Sequence, residues 1–414
     1  MLFPRHFKNR LELSRHAVPR SLQSTPMHKW FVFPHSYSSR LVEEILKEWA
    51  LGPKDRILDP FVGAGTTLVA AKAHGIPAIG FDLSPLAVFV TNVKLQAYAP
   101  EALEQAWRSV VGSLPKRPPG GSGPPASRIL AQAFSPLAWA WVRVFQARIR
   151  AVPSRLARGM LRLALLRAIR GVCGAQCDGG WIRWTRRPSG RDFPGIMADV
   201  VADMIQDVQK NGMTHKARGE WYAMLGDARV PQKNIGTFSA VICSPPYPNR
   251  HDYTRVFAPE LLLEFVDEGG LKALRYKLFR SHVEAREPSF GAGGFTSPRP
   301  LERTLRRLRA APVTDRRVMP MIDGYFRDVS LALSALRRVL RKGARLAFVV
   351  GNVRHAGVMV EVDRILVAIA KGLGYRHDGT WLIRVRGNSA QQMGRFGRDA
   401  SRESIVFLTR EGDG

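Results

Sequence analysis

The tetrad Ser244-Pro245-Pro246-Tyr247 follows the apolar run Val241-Ile242-Cys243. Two prolines cannot continue a central strand, so the chain must leave the strand here as a rigid loop. In an α/β arrangement a loop at the carboxyl end of a strand lies where ligands bind. The Ser244 hydroxyl and the Pro245 carbonyl are two acceptors, preorganised because proline fixes φ. Together they can take both N–H bonds of an exocyclic amino group. Such a nitrogen is conjugated with its ring and is a poor nucleophile; two hydrogen bonds favour a form with an available lone pair. The ring of Tyr247 offers a face for a base pulled out of its stack. Taken alone, the tetrad is also what an ordinary Pro-Pro turn looks like.

A second stretch, RILDPFVGAGTTLVAAKAHGIPAIGFDLSP, runs from a strand through Asp59-Pro60-Phe61 to Gly63-Ala64-Gly65. A helix follows from about Thr66, with Gly75 as its C′ residue. Glycines at this turn admit a ligand close to the backbone, and the helix start supplies free N–H groups. Asp82 ends the next strand, where a carboxylate can meet ribose hydroxyls. A dinucleotide site would want a small residue at position 68, which is Leu68. A Gly-Lys-Ser/Thr phosphate loop is absent. A ligand-free strand–helix turn would read the same on Gly-x-Gly alone.

Asp-Pro-Phe-x-Gly-x-Gly-Thr-Thr resembles motif I of the DNA amino-methyltransferases, and Ser-Pro-Pro-Tyr resembles their motif IV. The resemblance implies S-adenosylmethionine as cofactor, held by Asp59, Pro60, Phe61, Gly63, Gly65, Thr66 and Asp82. It implies that Ser244, Pro245, Pro246 and Tyr247 are catalytic, with direct attack of the amino nitrogen on the sulfonium methyl. Ser in first place is typical of N4-cytosine members, Asp or Asn of N6-adenine members. Upstream, MHKWFVFPHSYSSRLVEEILKEW is similar to motif X, with Trp30 and Phe33 as cofactor contacts beside His28, Lys29 and Pro34. Asp227, in MLGDARV, stands where the motif III acid would bind the cofactor's adenine; a lone Gly-Asp is equally a turn. The ending RVRGNSAQQMGRFGRDASRESIVFLTR resembles the C-terminal hairpin of Ser-Pro-Pro-Tyr members. Asn388, Gln391, Gln392, Arg398 and Arg402 could there face DNA or the extruded base, or simply be solvated.

The expected activity is therefore a site-specific, S-adenosylmethionine-dependent DNA methyltransferase, modifying cytosine N4. Its partner is duplex DNA with a flipped target base, and a cognate restriction endonuclease is a further possible partner. The alternatives are an N6-adenine enzyme, an RNA methyltransferase of the tRNA guanine-N2 type, and a non-catalytic nucleic-acid-binding protein on the same fold. A C5-cytosine mechanism would need Pro-Cys as nucleophile, and Cys243 lies on the wrong side of the prolines.

Elements that position these motifs can be read from the alternation of apolar runs and helical periods. Candidate strands are Arg56–Asp59, Ala78–Phe81, Ala240–Cys243, Arg345–Gly351, Trp381–Arg384 and Ile405–Thr409, several of them wholly apolar as in sheets buried on both faces. The expectation is an α/β, Rossmann-like methyltransferase fold with a mainly parallel sheet and a C-terminal antiparallel hairpin. A helical insertion is added to it. Residues 1–26 read as a basic tail, 27–100 and 220–414 as the catalytic domain, and 101–219 as a basic helical insertion opened by KRPPGGSGPPAS. Residues 269–318 are a candidate target-recognition segment.

The 414 residues carry 63 Lys and Arg against 34 Asp and Glu, a formal net charge of +29. That balance favours a polyanionic partner, although a solubilising surface would give the same count. Arg143 to Arg191 holds 12 arginines and one acid, Asp178; Arg275 to Arg317 holds 11 basic and 4 acidic residues. No run approaches the roughly 18 apolar residues of a membrane helix, and no secretory signal is read, so a cytoplasmic, nucleoid-associated protein is expected. Cys173, Cys177 and Cys243 lack the partners for a zinc site, and no metal is expected.

Overall fold

In the computed structural model the chain is described over residues 7–18, 22–34, 36–118, 123, 125–178, 181–185, 190–211, 220–290, 294–313, 315–387 and 390–412. The N-terminal part contains β1 (Phe7–Asn9), α1 (Ser39–Glu48), β2 (Ile57–Asp59), α2 (Thr66–Ala73), β3 (Ala78–Asp82) and α3 (Pro85–Lys94). Next come α4 (Pro100–Gly112), α5 (Arg128–Ala133), α6 (Pro136–Arg150), α7 (Arg155–Ala168), the hairpin β4 (Ala175–Asp178) and β5 (Trp181–Trp184), and α8 (Phe193–Asn211). The chain then forms β6 (Trp221–Leu225), β7 (Phe238–Cys243), α9 (Tyr253–Val256), α10 (Ala258–Glu264), α11 (Glu268–Lys277), α12 (Arg299–Ala310) and α13 (Val318–Arg337). It ends with β8 (Leu340–Gly351), β9 (Val353–His355), β10 (Val358–Val360), α14 (Val362–Gly372), β11 (Tyr375–Arg386), α15 (Ala390–Phe396) and β12 (Ser401–Arg410).

The main sheet has eight strands in the order β1-β11-β12-β8-β7-β2-β3-β6. From β8 to β6 every pairing is parallel, with Leu58 opposite Ile79 on one side and Val241 on the other. β12 alone runs against its neighbours β8 and β11. This is the expected Rossmann-like α/β sheet with its C-terminal hairpin. From β2 the chain builds outward to β3 and β6 on one side, then returns to β7 on the other. The crevice between β2 and β7 is thus a switch point, where α/β sheets bind ligands.

Strand residues alternate strictly between two cores. Ile57, Ala78, Ala240, Ile242, Ala347 and Val349 face one layer, which includes α1 to α3 and the helices α4 to α8. Leu58, Ile79, Val241, Cys243, Leu346 and Phe348 face the other, with α12, α13 and α14. Both faces are covered, which is why these strands are unbroken apolar runs in the sequence.

One boundary differs from the expectation. Residues 7–9 are not tail but an edge strand beside β11, and Leu13 and Ala17 enter the core. The short Phe-Lys-Asn strand is too brief to show a period. The helices between 101 and 219 join the same core as the sheet, with α7 packed on α3 and α8. Among the described residues no helix is long and apolar enough to cross a membrane.

Candidate active site

At the end of β2, Asp59 is 1% exposed and accepts the Phe61 N–H at 3.0 Å. Burial pushes its carboxyl up to about 7, against the hydrogen bonds from Phe61 and Thr67. The chain then turns through Gly63 at φ +48° and Gly65 at φ +81°, conformations that L side chains rarely adopt. Asp82 fastens this turn: one carboxylate oxygen accepts the Gly63 N–H at 3.0 Å, the other the Ser84 N–H at 2.9 Å. Burial raises its pKa as well, against backbone hydrogen bonds from Ser84, Gly63 and Leu83. Gly80 on β3 is needed here too, because a Cβ there would stand 2.7 Å from Val62 and 3.0 Å from the Asp59 carbonyl.

β7 ends beside this turn, as required by its pairing with β2. Ser244 to Tyr247 then form the opposite wall. The Tyr247 hydroxyl donates to Glu403 on β12 at 3.1 Å and stands beside Ser244. Its ring lies against Gly351, where an added Cβ would meet Tyr247 Cε2 at 2.8 Å and Arg386 Nη2 at 3.1 Å. Burial and the nearby Glu403 charge raise the phenol pKa. Beyond it, the Pro248 carbonyl accepts from His355 Nε2 at 2.8 Å and Arg250 pairs with Asp315 at 2.9 Å. The loop is therefore fixed at both ends.

One cavity joins the two motifs. Its lining includes Phe33, Pro60, Phe61, Gly63, Thr66, Asp82, Asp227 and Ser244 to Tyr247, with Tyr37, Ser84, Phe257 and Phe279. Three expected contacts do not line it. Asp59 lies behind the wall as a buttress of the turn. Gly65 faces Thr91, whose Oγ1 would be 2.7 Å from an added Cβ, so a branched residue at 65 strikes Thr91 rather than a ligand. Trp30 is fully buried, and its indole N–H donates to Asp207 at 3.0 Å. Asp227 does line the cavity, but Arg229 already grips its carboxylate with two bonds of 2.9 and 2.8 Å.

Arg402 is likewise engaged: it pairs with Glu361 at 2.9 Å and Asp363 at 3.2 Å. Asn388 falls outside the described residues. Arg398 is exposed.

Sequence reasoning missed the supports. Asp328, 0% exposed, accepts from Arg229 at 3.0 Å and from Arg280 at 2.7 Å, fixing the Phe279–Ser281 wall. Glu403 and Gly351 were not singled out either. Nothing in their local sequence separates them from ordinary strand residues. Asp252, His282 and Glu284 come within ligand reach of one another. Arg275 pairs with Asp252 at 2.8 Å and Arg255 with Glu284 at 2.8 Å, so their charge is already offset.

Residues 7–91 match the N6_N4_Mtase family model, described as DNA methylase. Over 92% of its length the chain is 27% identical to a type II methyltransferase, M.BsoBI of Geobacillus stearothermophilus, covering 85% of that protein. It is 28% identical to the type II methyltransferase M.AvaI of Nostoc sp., over 95% of this chain and 88% of that one. A tRNA (guanine(10)-N2)-dimethyltransferase of Methanothermobacter thermautotrophicus is 34% identical, but over 76 residues, 18% of this chain and 23% of that one.

Proposed function

We propose that this chain, which belongs to the DNA amino-methyltransferase family, methylates cytosine N4 at a specific duplex DNA site. The carrying observation is the single cavity that joins the Gly63 turn and Asp82 to Ser244–Tyr247. Within the family reading, Ser244 in first place of the tetrad favours cytosine over adenine. The similarity to DNA-modifying relatives runs along nearly the whole chain, whereas the tRNA-modifying relative matches only a short part.

The residues present fit S-adenosylmethionine. Asp82 keeps acceptor capacity for ribose hydroxyls, and Phe33, Phe61, Phe257 and Phe279 supply apolar walls. Among the described residues the cavity lining contains no lysine or arginine to offset a diphosphate's charge. When bound, S-adenosylmethionine supplies an electrophilic methyl group on sulfur. Pro60, Phe61 and Gly63 would hold it along the turn, with Asp227 and Phe33 at its flanks.

The chain's own residues do the rest. Tyr247 stacks on a flipped base, and Ser244 and the Pro245 carbonyl accept its amino N–H bonds. Holding the nitrogen and the methyl in line is the main source of rate. Residues 269–318 and the basic insertion 101–219 remain the candidate readers of the target. We read the modification as one half of a restriction-modification pair.

The test is to express the chain, digest host DNA to nucleosides and identify the product by mass spectrometry. N4-methylcytosine is expected. N6-methyladenine would move the target to adenine, and no methylated base would refute the reading.

A further inference from the structure

We propose that α12 is a phosphate-docking helix that seats the DNA backbone beside the reaction cleft; this rests on the DNA reading above. On this helix Leu301, Thr304 and Leu308 are buried, while Arg299, Arg303, Arg306, Arg307 and Arg309 are all exposed. Among the described residues none of the five is paired with a carboxylate. Arg299, Arg303 and Arg307 form a stripe at i, i+4 and i+8. Like charges at this spacing repel and destabilise a helix by a few tenths of a kcal/mol per pair. A row of phosphates would turn that repulsion into attraction.

Many arginines elsewhere are already paired, although Arg148, Arg150 and Arg155 at the α6–α7 turn are exposed as well. In the insertion, Arg162, Arg167 and Arg170 are engaged by Glu264, Asp203 and Glu260. Nearer the site, Arg229 and Arg280 are buried on Asp328, and Arg317 pairs with Asp315. The charge excess between Arg275 and Arg317 is therefore concentrated on one helix.

Its position suits the role. Leu301 and Leu308 pack in the same core as Val353 and Val358 of the β9–β10 hairpin. That hairpin directly follows Gly351, the residue under the Tyr247 ring. Arg299 to Arg307 spans about 12 Å of helix axis, against about 3.4 Å between phosphates along one strand axis. The stripe is long enough for about three phosphate contacts.

The test uses the full chain and a duplex DNA of arbitrary sequence, since phosphate contacts do not depend on sequence. Affinity is measured against salt for the unaltered chain and for R299Q/R303Q/R307Q. With about 0.9 per phosphate contact, the log–log slope should become shallower by roughly 2–3. Cofactor affinity by calorimetry should stay unchanged, showing the variant is folded. A matched variant, R148Q/R150Q/R155Q at the exposed α6–α7 turn, should change the slope less. An unchanged slope in the α12 variant, or an equal fall in both, overturns the proposal. Tighter binding of a structured RNA than of duplex DNA overturns the partner. If the unaltered chain methylates DNA while the α12 variant keeps its slope, only this inference fails. If the unaltered chain binds no DNA, the function reading fails with it.

Discussion

The Lys94 ammonium donates to the Ala64 carbonyl at 3.0 Å, and it is 1% exposed. The same nitrogen donates to Phe31 at 2.7 Å and His28 at 3.1 Å. One buried cation thus ties the segment carrying Phe33 to the Gly63–Gly65 turn. Burial lowers its pKa to about 7. Lys94→Met keeps the length but orphans three carbonyls, each at a cost of about 1–3 kcal/mol. We expect a clear fall in melting temperature and weaker cofactor binding, read by calorimetry. Unchanged values of both would show that the tie is dispensable.

Asp59 gives a pH signature. Its folded pKa of about 7 lies above its ordinary value of 3.8. Between those values the folded chain holds the proton more tightly than the unfolded chain. Its stabilising contribution is complete below about pH 4 and is lost as pH rises through 7. Asp59→Asn keeps the acceptor for the Phe61 N–H and cannot ionise. The melting temperature of Asp59→Asn relative to the unaltered chain should rise by a few degrees from pH 5 to pH 8. A constant difference across that range would refute the assignment.

Direct transfer makes Cys243 a bystander. It is fully buried, and burial raises its thiol pKa well above the usual value, so it is a poor nucleophile. Cys243→Ser should retain most single-turnover methyl transfer, with a packing cost. Ser244→Ala should slow transfer by about 10²–10³-fold. Tyr247→Ala should lose the stacking surface, worth roughly 1–3 kcal/mol. An inactive Cys243→Ser beside an active Ser244→Ala, both folded, would exclude the mechanism.

The support under Tyr247 is separable from the cofactor wall. In Gly351→Ala a methyl would stand 2.8 Å from Tyr247 Cε2, so the ring must move. Glu403→Ala removes the acceptor for its hydroxyl, whereas Glu403→Gln keeps one. We expect Gly351→Ala and Glu403→Ala to weaken base capture, followed by the fluorescence of a 2-aminopurine beside the target base. Cofactor affinity should hold, and Glu403→Gln should recover much of the loss. Equal defects in Gln and Ala would assign Glu403 a charge role instead.

The two cavity walls were legible in the sequence because each is local. A Gly turn after Ile57-Leu58-Asp59 and a Pro-Pro break after Val241-Ile242-Cys243 are fixed by φ restrictions within a few residues. Burial on both sheet faces likewise made the strands visible, as unbroken apolar runs. What only the tertiary structure decided is which distant groups meet these walls. Glu403 reaches Tyr247 across 156 positions of chain, and Asp207 removes Trp30 from the cavity across 177. The arginines show the same division. Their number is a property of the chain, but only packing sorted those buried on Asp328 from those left free on α12. Long-range pairing depends on how the layers close over the sheet, and no local residue pattern encodes that geometry.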